Sequence, residues 1–97
     1  MSIVLHPEAS IEVSEATQWY EEQQEGLGRR FALEAEAAIY RIAEFPHANT
    51  EIDKGFRRAI MPGFPYGIFY AIWKDGIEVV AVAHLHRKPF YWKKRFK

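Results

Sequence analysis

The hydrophobic period of this chain changes once, from helical to extended, and that change restricts the fold more than any motif does. Ala9, Val13, Ala16 and Tyr20 recur at i, i+4, i+7 and i+11, which places them on one helical face. Phe31, Ala35, Ala38, Ile42 and Phe45 repeat the spacing, and Ile39 widens the stripe. Pro7 suits a first helical turn, and Glu8 and Glu12 sit where the N-terminal dipole favours negative charge. The first helix is predicted to end near Gln24, because Gly26 and Gly28 around Leu27 suit a C-cap and a tight reversal. Pro46 stops the second helix. A link this short forces the pair into an antiparallel hairpin.

The flanking segments read as strands. Ser2 to His6 is a short apolar run closed by Pro7, and His47 to Lys54 is a polar loop. Phe56 to Ile60 is a strand, Met61-Pro62-Gly63 a turn, and Tyr66 to Trp73 a run of aromatic and branched residues. Asp75-Gly76 between two such runs signals a hairpin whose turn residues both tolerate positive φ. Ile77 to His84 is apolar on both faces, as a central strand is. The order β-α-α-β-β-β predicts an α+β fold, a helical hairpin packed on one face of a mostly antiparallel sheet. Residues 1–97 form one domain with a basic, aromatic tail over about 85–97. The sheet's other face, its edge and the tail are left as places for function.

Cysteine is absent, which excludes a disulfide framework, a thiolate zinc site and a cysteine nucleophile. No apolar run approaches the roughly 20 residues that span a bilayer, and Met1 to His6 lacks the basic start of a secretion signal. The expectation is a cytoplasmic protein with no membrane partner.

The net charge of +0 conceals a division. Residues 1–53 carry eleven acids and three bases, a net −8, and residues 54–97 carry ten bases and two acids, a net +8. Such asymmetry points to a charged partner. The densest cluster follows the last strand, where Leu85 to Lys97 holds six bases, four aromatics and no acid. Arg87, Lys88, Lys93, Lys94, Arg95 and Lys97 interleaved with Phe90, Tyr91 and Trp92 suit an anionic strand, with bases stacked on rings and phosphates on cations. The plainer alternative is a solvated tail whose aromatics pack on the sheet, and a third is an acidic protein partner covering the patch.

His84 and His86 could move protons near neutral pH, although a sheet hydrogen bond for one and solvent for the other is the more ordinary outcome. With no carboxylate or cysteine close by in sequence, no metal is expected there, and no cofactor motif is present. Trp19, Tyr20 and Tyr40 read as core or rim, and the helical acids as a solvated face.

Taken in order, several short pieces resemble the RelE/ParE superfamily of bacterial type II toxins, also described as plasmid stabilisation proteins. They are the opening strand with Pro7-Glu8-Ala9, the pair Trp19-Tyr20, Gly28 and Phe31, Phe45-Pro46, Arg57-Arg58, Phe64 to Tyr70, and Val80 to His84 followed by Arg87, Pro89, Tyr91-Trp92 and Arg95. The resemblance covers nearly the whole chain. It implies a growth-inhibiting toxin that a cognate antitoxin wraps and neutralises, in a toxin-antitoxin hetero-oligomer that represses its own promoter.

The superfamily divides by target. RelE-like members cut messenger RNA on the ribosome, and ParE-like members inhibit DNA gyrase. RelE-like members commonly carry a Tyr-Arg pair where this chain has Tyr66-Gly67, and that arginine supports the cleaved phosphate. Its replacement by Gly67 favours the ParE-like, non-enzymatic branch, since a fixed cation near developing charge is a large part of such chemistry. The alternative is a ribosome-dependent endoribonuclease in which Arg57 or Arg58 and Arg87 clamp phosphate and His84, His86 or Tyr91 transfers a proton. A non-toxic, partner-binding family member is the third possibility.

Overall fold

A computed structural model describes residues 2–96; Met1, and Lys97 of the basic tail, lie outside the described residues. The elements are β1 (Ile3–Leu5), α1 (Pro7–Gln23), α2 (Leu27–Glu44), β2 (Glu51–Asp53), β3 (Phe56–Ile60), β4 (Tyr66–Trp73), β5 (Gly76–His84) and a C-terminal 3₁₀ helix (Tyr91–Phe96). The five strands form one sheet in the order β1-β5-β4-β3-β2, antiparallel except for β1, which runs parallel to β5. Among the described residues no helix is long and apolar enough to cross a membrane.

α1 begins as its sequence dictates. The His6 Nδ1 accepts the Glu8 N–H at 3.1 Å, and Pro7 occupies the first turn. The hairpin is closed from the side of α1, where the Glu21 carboxylate accepts the N–H groups of Gly26 at 2.9 Å and Gly28 at 3.0 Å. Those donors at the start of α2 have no intrahelical partner, so the carboxylate serves as a cap from outside the helix. Gly28 is required for the close approach, because a Cβ there would overlap the Thr17 carbonyl and lie 2.8 Å from the Glu21 Cβ.

The main core lies between the hairpin and the sheet. Ala9 and Ala16 from α1 and Phe31, Ala35, Ala38 and Ile42 from α2 meet Ile68, Tyr70, Val79 and Val82. Each large apolar side chain so enclosed contributes about 1.5–3 kcal/mol over an exposed one. Tyr70 is fully buried and keeps its hydroxyl satisfied, donating to the Pro46 carbonyl at 2.7 Å and accepting from Asn49 Nδ2 at 3.2 Å. That pair of bonds ties the 46–49 loop to the sheet.

A second cluster occupies the opposite face of the sheet. Trp92, 1% exposed, packs on Val80 and Ala81 with Phe56 and Phe69 around it. The sheet is therefore covered on both sides, by helices on one and by the tail on the other. This accounts for the apolar character of β5 on both faces.

Four sequence expectations need correction. Glu51–Asp53, read as loop, is an edge strand, since backbone pairing to β3 at Glu51↔Arg57 outweighs the polar side chains. The β4–β5 hairpin forms, but its connecting residues are Lys74 and Asp75, and only Gly76 takes a positive φ, at 147°. Gly76 pairs with Trp73 and lies so near the first residues that a Cβ would come 2.6 Å from the Ser2 Oγ. Phe45, assigned to the stripe of the second helix, is the residue after its end and is exposed. Trp19 and Tyr40, read as core or rim, are also exposed.

Candidate functional site

One pocket of about 130 Å³ lies where β5 ends, with Arg58, His84, Arg87, Lys88, Phe90 and Tyr91 in its lining. Three features of the chain build it. Strand alternation sends Arg58 of β3 to the sheet face opposite the helices, beside Phe69 of β4. β5 stops at His84, and the chain turns there with the Arg87 N–H bonded to the His84 carbonyl at 3.0 Å. The 3₁₀ helix then returns Tyr91 and Trp92 over the sheet.

Gly67 has a specific place in this arrangement. A Cβ on it would lie 3.2 Å from the Arg58 Cδ and 3.3 Å from the Leu85 Cδ2. The stem of Arg58 thus runs across the space that a side chain at position 67 would fill. Arg58 thereby brings a cation to this face from β3.

The far wall is held by the Glu12 carboxylate. It accepts bonds from Arg95 Nη2 at 2.8 Å, Arg95 Nη1 at 3.1 Å, the Val82 N–H at 3.0 Å and the Tyr91 hydroxyl. Arg95 Nη1 also donates to the Val80 carbonyl at 2.6 Å, and its Nε lies 3.3 Å from Glu8. β1 pairs only with residues 77–79 of β5, so Val80 and Val82 present unpaired backbone groups on that side. Arg95 and Glu12 satisfy them, which blunts an open sheet edge.

Burial raises the pKa of Glu12, but the bonds from Arg95, Tyr91 and Val82 outweigh it and hold the carboxyl below its ordinary value. The Tyr91 hydroxyl is pushed up by burial first and then by its bond to that carboxylate. Burial works against the Arg95 charge, yet Glu12 raises its pKa overall. The side chains of Arg95 and Glu12 are 6% and 11% exposed, so this pair is committed to structure and largely withdrawn from solvent.

Several candidate residues are consequently placed otherwise than expected. Arg95, read as a target contact, is withdrawn into the pair with Glu12. Trp92, read as a stacking surface, is core. Lys93 is paired with Asp53 across to β2. Arg57 and Arg58 are adjacent in sequence but face opposite sides of β3, and Arg57 donates to the Asn49 carbonyl at 2.6 Å. His86 lies outside the pocket lining, and its N–H donates to the His84 Nδ1 at 3.1 Å. Lys94 is exposed.

Of the groups named for proton transfer, the Tyr91 hydroxyl is committed to Glu12 and the His84 Nδ1 accepts the His86 backbone N–H, while the His86 ring makes no hydrogen bond among the described residues. The pocket presents three cations, Arg58, Arg87 and Lys88, and His84, with aromatic walls. Sequence reasoning missed Glu12, reading it with the solvated acids. Its position three residues after Ala9 and four before Ala16 puts it at the edge of the buried stripe, which was the available signal.

A separate apolar groove of about 760 Å³ lies on the helical side, between β1 and the hairpin, with Leu5, Val13, Ala35, Ile39 and Tyr40 in its lining.

A family described as the ParE toxin of the type II toxin-antitoxin system, parDE, matches residues 3–89. No curated protein matches the chain. The matched span takes in both helices, all five strands and the pocket residues Arg58, His84, Arg87 and Lys88.

Proposed function

The chain belongs to the ParE toxin family, and from that premise we propose that it acts by binding DNA gyrase through the cationic pocket face rather than by cutting messenger RNA. Membership makes it the toxin of a type II module with an antitoxin as partner. The observation that supports binding over cleavage is the Tyr91 hydroxyl, which is committed to Glu12 and so withdrawn from proton transfer at the pocket, where Arg58, Arg87 and Lys88 line an acid-free surface.

Two assays with purified toxin test this. Supercoiling by gyrase is expected to fall as toxin is added, and Arg58→Glu with Arg87→Glu is expected to relieve the inhibition. Messenger on programmed ribosomes, mapped by primer extension, is expected to stay intact. Uninhibited gyrase at toxin excess, or discrete cuts in the messenger, would refute the proposal in favour of the nuclease reading.

The antitoxin has a second surface to use. Its apolar residues fit the groove between β1 and the hairpin, and Glu36 in that lining, with the acids of α1, favours basic flanks on the docking segment. The sequence had suggested an acidic partner on the tail. The observation favouring the groove is its size beside the small, partly internally paired cationic face.

A further inference from the structure

The open edges of the sheet are protected unequally. β2 carries Glu51 and Asp53 and an irregular register against β3. β3, where it extends past β2, carries Arg58 and runs toward Pro62. β5, where it extends past β1, is closed by Arg95 on the Val80 carbonyl and by Glu12 on the Val82 N–H. Charges, bulges and covering groups of this kind keep a sheet edge from pairing with another chain. β1 is the outermost strand on its side, and Ser2 to His6 contains no acid, lysine or arginine.

Two bonds fix the direction of its backbone groups. The Ser2 carbonyl accepts the Ile77 N–H at 2.9 Å, and the His6 N–H donates to the Val79 carbonyl at 2.8 Å. Ser2, Val4 and His6 thus turn toward β5, and alternation turns the N–H and C=O groups of Ile3 and Leu5 outward. Those four groups are disposed symmetrically about Val4. Both flanks of the edge are apolar. On one face Val4, 62% exposed, shares a hollow with the exposed Trp73. On the other, Ile3, Leu5 and the exposed Tyr40 line the groove beside the hairpin.

We propose that β1 pairs with β1 of a second copy of this chain, antiparallel about a two-fold axis at Val4, so that two five-stranded sheets become one. In that register Ile3 exchanges both backbone bonds with Leu5 of the second copy, and Leu5 does so with Ile3 of the second copy. All four outward groups are then used. Val4 meets Val4 of the second copy in the central pair, the kind in which side chains stand closest. A two-fold axis sets identical residues against each other, which an uncharged strand tolerates and a charged one does not. A segment with basic flanks, as expected of the antitoxin, has no acid to meet between Ser2 and His6. Ile3 and Leu5 also line the antitoxin groove, so the dimer is a form of the free toxin. The proposal stands apart from the gyrase and antitoxin readings, and free toxin that stays monomeric removes it alone.

Sedimentation velocity of the full chain from about 1 to 300 µM tests it, a range that covers the weak association of a small interface. A monomer of 11.4 kDa in equilibrium with a species of twice that mass is expected. Val4→Lys should weaken the dimer at least tenfold and hold its melting temperature within about 4 °C, because the residue is exposed in a single copy. Val4→Thr should keep the dimer, and so should Ile11→Lys, at an exposed position on α1. The chain has no cysteine, so Val4→Cys gives a single thiol. The central pair places its Cβ atoms about 4.5–5.5 Å apart, near the reach of a disulfide. Mild oxidation should therefore cross-link Val4→Cys at least ten times faster than Ile11→Cys. A monomer at every concentration would overturn the proposal and leave the edge to a strand from a different chain. Open-ended assembly without a discrete dimer, a dimer undiminished by Val4→Lys, or equal cross-linking of the two cysteine variants would also overturn it.

Discussion

Replacing Glu12 with alanine removes one side chain and strands two others and a backbone N–H. Arg95 keeps only the exposed Glu8 and the Val80 carbonyl, the Tyr91 hydroxyl loses its acceptor, and the Val82 N–H is left unpaired on the open side of β5. Breaking a fully buried ion pair from one side costs about 3–5 kcal/mol. This pair is partly buried and Glu8 retains part of the Arg95 charge, which places the change at the low end, about 3 kcal/mol. For a domain of this size that is a fall of roughly 12–24 °C in Tm. Glu12→Gln preserves the shape and one acceptor oxygen, so the loss should be smaller, about 1–2 kcal/mol. Thermal melts followed by near-ultraviolet circular dichroism at neutral pH measure both, and the dichroism of Trp92 reports whether the tail leaves the sheet. A Tm within about 4 °C of the parent for Glu12→Ala would refute the reasoning, since the network would then be worth under about 1 kcal/mol.

The same network sets an acid limb. The Glu12 carboxyl is lowered in the folded chain, so between its folded value and its ordinary 4.5 the unfolded state binds more protons and stability rises with pH. Its contribution is complete above 4.5 and is lost as pH falls through the folded value. Glu12→Gln should flatten this part of the stability-pH curve. An unchanged acid limb would contradict the assignment.

Other substitutions probe separate parts of the molecule. Trp92→Ala empties the second core and should cost about 3–5 kcal/mol, read by urea denaturation; a loss below 1 kcal/mol would mean that the tail is not packed as described. Gly28→Ala drives a methyl into the Thr17 carbonyl and should destabilise by about 1–3 kcal/mol, and an unaltered midpoint would show that the helices part without cost. Gly67→Ala meets only the flexible stems of Arg58 and Leu85, so stability should change by less than about 1 kcal/mol while Arg58 shifts and gyrase inhibition weakens; full inhibition would argue against a role for Arg58. Charge reversal at exposed Lys88 and Lys94 should leave antitoxin affinity and its salt dependence nearly unchanged if the antitoxin occupies the helical groove, and a large loss at low salt would return the antitoxin to the basic face.

Much of the architecture was legible because it is local. Helical spacing, Pro7, the Gly26 to Gly28 reversal and Pro46 act within a turn or two of the chain, and both helices lie where those signals put them. The strands from Phe56 and Tyr66 were equally plain in their branched and aromatic runs. β2 was not, because Glu51–Asp53 is held by pairing to a neighbour and has no strand-like side chains.

The charge division shows where sequence reaches its limit. The −8 and +8 halves are real as counts, but Arg95 meets Glu12 and Glu8, and Lys93 meets Asp53, so part of the division is cancelled inside the fold. Contacts between residues more than eighty positions apart leave no periodic trace in the sequence. The sequence by itself determined the α+β class, the helical hairpin and a cationic, aromatic terminus. Only the tertiary structure decided which of those cations are open, because strand parity turned Arg57 from Arg58 and the returning tail buried Trp92 and paired Arg95 with Glu12 while leaving Arg58, Arg87 and Lys88 around one pocket.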